Sequence, residues 1–153
     1  MTAKSWAYDD FIEGASIDLG SKLVSAAEIV EFATEFDPQP MHIDEEAGKA
    51  SILGGLAASG WHTCAIFMRM LCDAFLLDST SQGAPGVDQV KWKRPVLAGD
   101  TLLGSSTVLA KRLSKSRPQI GLITMRSELR NQHGESVFEF ENTCMFLTRE
   151  AVA

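Results

Sequence analysis

The sequence is poor in the features that mark several large protein classes. It has three cysteines, Cys64, Cys72 and Cys144, an odd number at wide spacing. They form no Cys-x-x-Cys pair and no zinc-ligand spacing, so neither a disulfide scaffold nor a metal site is expected. That usage suits a reducing compartment, and a cytoplasmic location is the expectation. Long hydrophobic runs are missing as well. The most apolar stretch, Trp61–Leu77, carries His62, Arg69 and Asp73 and is too short to span a bilayer convincingly. The opening residues, Met1 to Trp6, lack the apolar core of a signal peptide. Positive charge is also in deficit: 14 Lys and Arg face 20 Asp and Glu, a net charge of −6. Such a balance argues against nucleic acid or an anionic membrane as the main partner. Internal repeats and low-complexity tracts are absent.

What is present is ordinary globular material. The 153 residues are 45% hydrophobic and 22% charged, which suits one domain, residues 1–153, with a core that needs no disulfide or metal. An extended, polar N-terminal stretch leads to Ser16–Lys22, a first strand. Ser25 and Glu28 form a Ser-x-x-Glu capping box, and Ile29, Phe32, Ala33 and Phe36 follow as one helical stripe. Asp37-Pro38-Gln39-Pro40 ends that helix, because proline lacks the N–H and restricts the residue before it. Asp44 is placed to cap a second short helix, with Glu45 and Glu46 in its first turn.

After the Gly54-Gly55 break, Ser59-Gly60 opens a long helix. Its apolar residues, among them Trp61, Cys64, Phe67, Met68, Leu71 and Phe75, cover most of the circumference. That predicts a helix buried on all sides. Ser79–Gly86 reads as a loop. The second half alternates polar and apolar residues as strands do: around Val90 and Trp92, over Thr101–Lys111, from Ile123 to Arg130, and around Phe138 and Phe140. A hairpin turn is expected at Asn131-Gln132-His133-Gly134. Trp92, Phe138 and Phe140 read as core, and the cysteines as packing. Antiparallel strands with one apolar face need a cover, and the long helix is the element apolar enough to supply it. The expectation is an α+β fold, an antiparallel sheet wrapped around one central helix.

Two constellations stand out chemically. Asp37 and His42 lie five residues apart across two prolines, which stiffen the turn and hold two titratable groups at a fixed separation. A carboxylate and a neutral imidazole sharing a water can remove its proton and hand one on. The plainer alternative has Asp37 ending a helix and His42 paired with Asp44. Ser59-Gly60 sits where a helix presents free N–H groups and positive potential, and a glycine there lets a carbonyl approach closely, as in an oxyanion hole. A simple serine cap is the alternative.

Asp37-x-x-Pro40-x-His42-x-Asp44, then Ser59-Gly60 before a long apolar helix, then Pro95-Val96-Leu97-Ala98-Gly99-Asp100-Thr101-Leu102, resembles the MaoC-like dehydratases and (R)-specific enoyl-CoA hydratases. The resemblance runs from about Ser16 to Thr148 and implies the hot-dog fold, a sheet around a central helix. It also implies a homodimer, with an acyl-CoA site near the subunit interface and no cofactor. By position, Asp37 and His42 correspond to the pair that activates water, and Gly60 to the residue whose N–H polarises the thioester carbonyl. Pro40, Ser59, Trp61 and His62 are the expected substrate contacts; for His62, in the first turn of the helix, a satisfied histidine near a helix start is the plainer alternative. Two positions depart from the family pattern: Gln39 stands where asparagine is usual, and Ser59 where histidine is frequent.

The remaining candidates suit plainer roles. His133 lies in the hairpin turn. Lys111, Arg112, Lys115 and Arg117 form a basic run that suits either coenzyme A phosphates or a solvated strand end. Coenzyme A is itself anionic, so an acidic chain that binds it is expected to gather basic residues at the groove mouth. Fold does not fix function. A hot-dog thioesterase, with Asp73 as its acidic residue, and a non-catalytic acyl-CoA-binding module remain open at this point.

Overall fold

The computed structural model describes residues 3–153; Met1 and Thr2, where the signal-peptide reading begins, lie outside them. In chain order the elements are β1 (Ser16–Leu23), α1 (Ala26–Phe36), α2 (Pro40–Ile43), α3 (Glu45–Ala50), α4 (Gly60–Ala74), β2 (Gln89–Trp92), β3 (Thr101–Leu113), β4 (Ile120–Arg130) and β5 (Ser136–Leu147). The five strands form one antiparallel sheet in the order β1-β3-β4-β5-β2. α4 packs on one face of it. The α+β arrangement expected from patterning is therefore present, and it is the hot-dog fold that the resemblance implied.

Local signals explain most boundaries. Ser25 Oγ accepts the Glu28 N–H at 3.2 Å and starts α1. The Glu28 carboxylate does not close the box; it takes Lys22 Nζ at 3.0 Å and the Ser25 hydroxyl at 3.3 Å. Asp44 caps α3 by accepting the Ala47 N–H at 2.8 Å. The β4–β5 hairpin turns at Gly134, whose φ of 75° lies in the left-handed region that suits glycine.

The core fills the space between α4 and the sheet. Ile66, Phe67, Met70 and Leu71 of α4 meet Leu102, Val108, Ile123, Leu129, Phe138 and Phe140. Phe67 packs against Phe138 and Phe140 with tilted rings at centroid distances of 5.4 and 4.9 Å. Truncating such a ring to alanine costs about 3–5 kcal/mol.

Three expectations need correction. The N-terminal stretch is packed rather than extended: Phe11 is buried against Trp6, Phe75 and Phe146. α4 is buried along one side only, with Trp61 63% and Met68 43% exposed, because one sheet covers one flank of a helix. Trp92 is 47% exposed. Alternation gives it a face of the sheet, but β2 lies at an edge where little covers that face. Phe138 and Phe140 are core, as expected.

Candidate active site

The break after α1 builds the first half of the site. The Asp37 N–H makes the last helical bond, to Ala33 at 2.9 Å. Pro40 then opens α2 at a first-turn position, where its missing N–H costs nothing. This single turn carries His42 into the interior, where it is 6% exposed. His42 Nδ1 lies 2.7 Å from the Ala57 carbonyl oxygen. A carbonyl only accepts, so Nδ1 carries the proton and Nε2 of the neutral ring is left with its lone pair. That Nε2 faces Asp37 Oδ2 at 3.6 Å, too far for a direct hydrogen bond. The two acceptors thus lie side by side, where one small molecule in front of them can donate to both. Asp44 is engaged in capping α3 and is not the partner of His42.

Asp37 is held from two sides. Ser59 Oγ donates to Oδ2 at 2.6 Å, and Gln39 Nε2 donates to Oδ1 at 2.7 Å. The Ser59 bond, then the Gln39 bond, hold the carboxyl below the usual carboxylate range against the opposing effect of burial, with His42 adding a smaller pull. Asp37 is ionised at neutral pH. Both donors occupy the positions that depart from the family pattern.

The N-terminus of α4 forms the second half. Ser59, fully buried, caps the helix by accepting the Trp61 N–H at 3.3 Å. Among the described residues, none accepts from the Gly60 N–H. Trp92 Nε1–H donates to the Gly60 carbonyl at 2.8 Å. A Cβ at Gly60 would sit 2.6–2.9 Å from three atoms of the Trp92 indole. Glycine is therefore required there by the indole, whereas approach of a carbonyl was the reason read from the sequence. Trp61 meets Trp92 edge-on at 5.3 Å.

A cavity of about 400 Å³ joins the halves, with Asp37, His42, Gly60 and Trp61 on its wall. Thr63, Trp92 and Arg94 also line it, and sequence reasoning missed all three as site residues. Thr63 was within reach of helical spacing, since three residues past Gly60 returns to the same side of α4. Pro40 is not on the wall, and Ser59 acts from behind it through Asp37. His62 lies on the other flank. Two residues past Gly60 is about 200° around a helix, and His62 lines a separate cavity of about 420 Å³ with Lys22 and Phe32. Its ring stacks on Phe32 at 4.7 Å, and its buried Nδ1 has no hydrogen-bond partner among the described residues.

Other candidates lie elsewhere. Lys111, Arg112, Lys115 and Arg117 do not line the site cavity; Lys111 is tied to the Tyr8 and Phe11 carbonyls at 3.2 and 2.8 Å. Arg94 is the cation on the wall among the described residues. Asp73 is thirteen residues from Gly60 along α4, roughly 20 Å, exposed and paired with Arg69 at 2.9 Å. Among the described residues no cluster of His, Cys, Asp and Glu is arranged to hold a metal, and no helix is long and apolar enough to cross a membrane. All three cysteines are free thiols; burial raises Cys64 and Cys144 above the ordinary value.

Residues 13–127 match the model of the MaoC like domain family. The chain belongs to that family. A solved MaoC-like dehydratase from Rhodospirillum rubrum is 41% identical, superposes with a TM-score of 0.83, and covers 95% of this chain and 99% of its own. An uncharacterized protein of Bacillus subtilis (strain 168), YdeM, is 34% identical over 134 residues, 87% of this chain and 93% of that protein. A mesaconyl-CoA hydratase from Haloarcula marismortui is 39% identical over 69 residues; the match spans 44% of this chain and 19% of that longer protein.

Proposed function

We propose that this chain is an acyl-CoA hydratase/dehydratase, adding water across the double bond of an enoyl thioester or removing it in reverse. The observation that carries the reading is the juxtaposition of His42 Nε2 and Asp37 Oδ2, 3.6 Å apart, with Nδ1 of the same ring engaged by the Ala57 carbonyl. The family and the hydratase named among the relatives support the same reaction type.

Water beside the pair donates one hydrogen to His42 Nε2 and the other to the Asp37 carboxylate. Asp37, stabilised as the anion by Ser59 and Gln39, is a weak base; His42 Nε2 therefore takes the proton. The O–H bond breaks as oxygen bonds to the β-carbon, and the π electrons move to the thioester oxygen. The Gly60 N–H, at the positive end of α4, stabilises that oxyanion. The enolate then collapses and takes a proton at the α-carbon from His42, whose imidazolium is held beside the Asp37 carboxylate meanwhile. Trp61 contacts the substrate at the cavity wall. The functional unit is a homodimer that covers the exposed flank of α4.

The test is an enoyl-CoA panel of short, medium and branched acyl groups, followed by loss of the conjugated thioester absorbance, beside an assay for free thiol release from saturated acyl-CoAs. Turnover of at least one enoyl-CoA is expected, without thiol release. Asp37→Asn and His42→Ala are expected to lower kcat by about a hundredfold or more in proteins that still unfold cooperatively. Full activity in either variant would remove the assigned roles. Thiol release would favour a thioesterase, and tight acyl-CoA binding without turnover a binding module.

A further inference from the structure

Gly60 poses a problem for the mechanism. Glycine has the widest backbone freedom of any residue, and the first residue of a helix lacks an intrahelical partner for its N–H. A donor that must meet a developing oxyanion needs a fixed direction, since electrostatic stabilisation depends on preorganisation. We propose that Trp92 is the positioning residue that fixes the Gly60 amide on the thioester oxygen. This deepens the hydratase reading and rests on it.

Two contacts from one side chain support the assignment. The indole N–H donates to the Gly60 carbonyl at 2.8 Å, which holds the peptide that follows Gly60. The face of the same indole fills the space where a Cβ would stand, with ring atoms 2.6–2.9 Å from that point, which blocks rotation of Gly60 toward β2. Together they hold Gly60 from its carbonyl and from its Cα. The indole is anchored on β2, where Trp92 pairs in register with Phe138, which is fully buried. Trp92 contributes nothing to the proton transfers at Asp37 and His42. It touches neither and acts through Gly60.

The test compares Trp92→Phe, which keeps a ring and loses the N–H, with Trp92→His, which keeps a ring N–H. In the Phe variant kcat is expected to fall about tenfold while KM stays within about threefold. The His variant is expected to recover part of the loss. A second readout uses a conjugated dienoyl-CoA, whose absorbance moves to longer wavelength when its carbonyl is polarised. That shift is expected on binding to the unaltered protein and to shrink in the Phe variant. An unchanged kcat and an unchanged shift in the Phe variant would overturn the proposal alone. So would a change confined to KM, which would make the indole a pocket wall. If the unaltered protein neither binds nor turns over any enoyl-CoA, the hydratase reading fails and the proposal fails with it.

Discussion

Ser59 Oγ donates to Asp37 Oδ2 at 2.6 Å across 22 residues of sequence, while accepting the Trp61 N–H at 3.3 Å. One hydroxyl thus ties the carboxylate of the first half-site to the cap of the helix that supplies the second. The relative position of the water-binding pair and the Gly60 amide depends on this bond.

Removing that hydroxyl has two readable effects. Ser59→Ala loses a helix cap, worth about 1 kcal/mol, and the largest of the causes that hold the Asp37 pKa down. A carboxyl with a depressed native pKa stabilises the fold above its unfolded value, and that contribution disappears as pH falls through the native one. In Ser59→Ala the native pKa returns toward the ordinary value. The folded state is therefore expected to lose less stability on acidification than the unaltered protein. Urea unfolding at matched pH values checks this. Equal losses in the two proteins would mean that the Ser59 bond is not what holds the Asp37 pKa down.

Gly60 and Trp92 give a sign test. Gly60→Ala pushes a methyl into the indole, and overpacking of this kind costs about 1–3 kcal/mol. In a Trp92→Ala background the clash is gone and the helix propensity of alanine, up to about 1 kcal/mol over glycine, is free to act. The same substitution is expected to destabilise the first protein and to be neutral or stabilising in the second. Chemical denaturation of the four proteins of the cycle measures the coupling. Equal effects in both backgrounds would sink the close-contact account.

The exposed flank of α4 predicts assembly. Trp61, Met68 and Trp92 are large and solvent-facing in the single chain, and β2 has β5 as its one neighbour in the sheet. Light scattering is expected to return the mass of a dimer at micromolar concentration, and Met68→Glu to lower it by placing a charge in an apolar contact. A monomer mass for the unaltered protein would refute the dimer.

Much of this was legible in the sequence because the signals are local. Proline chemistry at Pro38 and Pro40, the caps at Ser25 and Asp44, and the alternation around Phe138 and Phe140 need no knowledge of the rest of the chain. Asp37 and His42 were found because a rigid short segment keeps them close whatever surrounds it. The failures depend on which faces tertiary packing covers. Alternation put Trp92 on the right face but could not tell that an edge strand leaves it open. Apolar composition around α4 could not tell that one sheet covers one side. Gln39 and Ser59 registered as departures from a pattern. Their convergence on one carboxylate emerges from the turn between α1 and α2 and the start of α4 meeting in space.

His62 carries the last prediction. It is buried, its Nδ1 has no partner among the described residues, and desolvation holds its pKa below the ordinary value despite Glu28 Oε1 at 3.9 Å from Nε2, with Lys22 nearby working in the same direction as burial. The unfolded chain takes up a proton near pH 6.5 that the native state resists, so this titration lowers stability as pH falls through that value and contributes nothing above it. His62→Phe keeps a ring to pack on Phe32 and removes both the titration and the unpaired nitrogen. Between pH 7.5 and 5.5 the unaltered protein is expected to lose on the order of 1 kcal/mol more than the variant. At the higher pH the variant is expected to be at least as stable, because an unsatisfied buried polar atom costs about 1–3 kcal/mol. Urea titrations at the two pH values decide it. Parallel losses would place the titrating group elsewhere, and a variant weaker at both would mean that Nδ1 has a partner in solution.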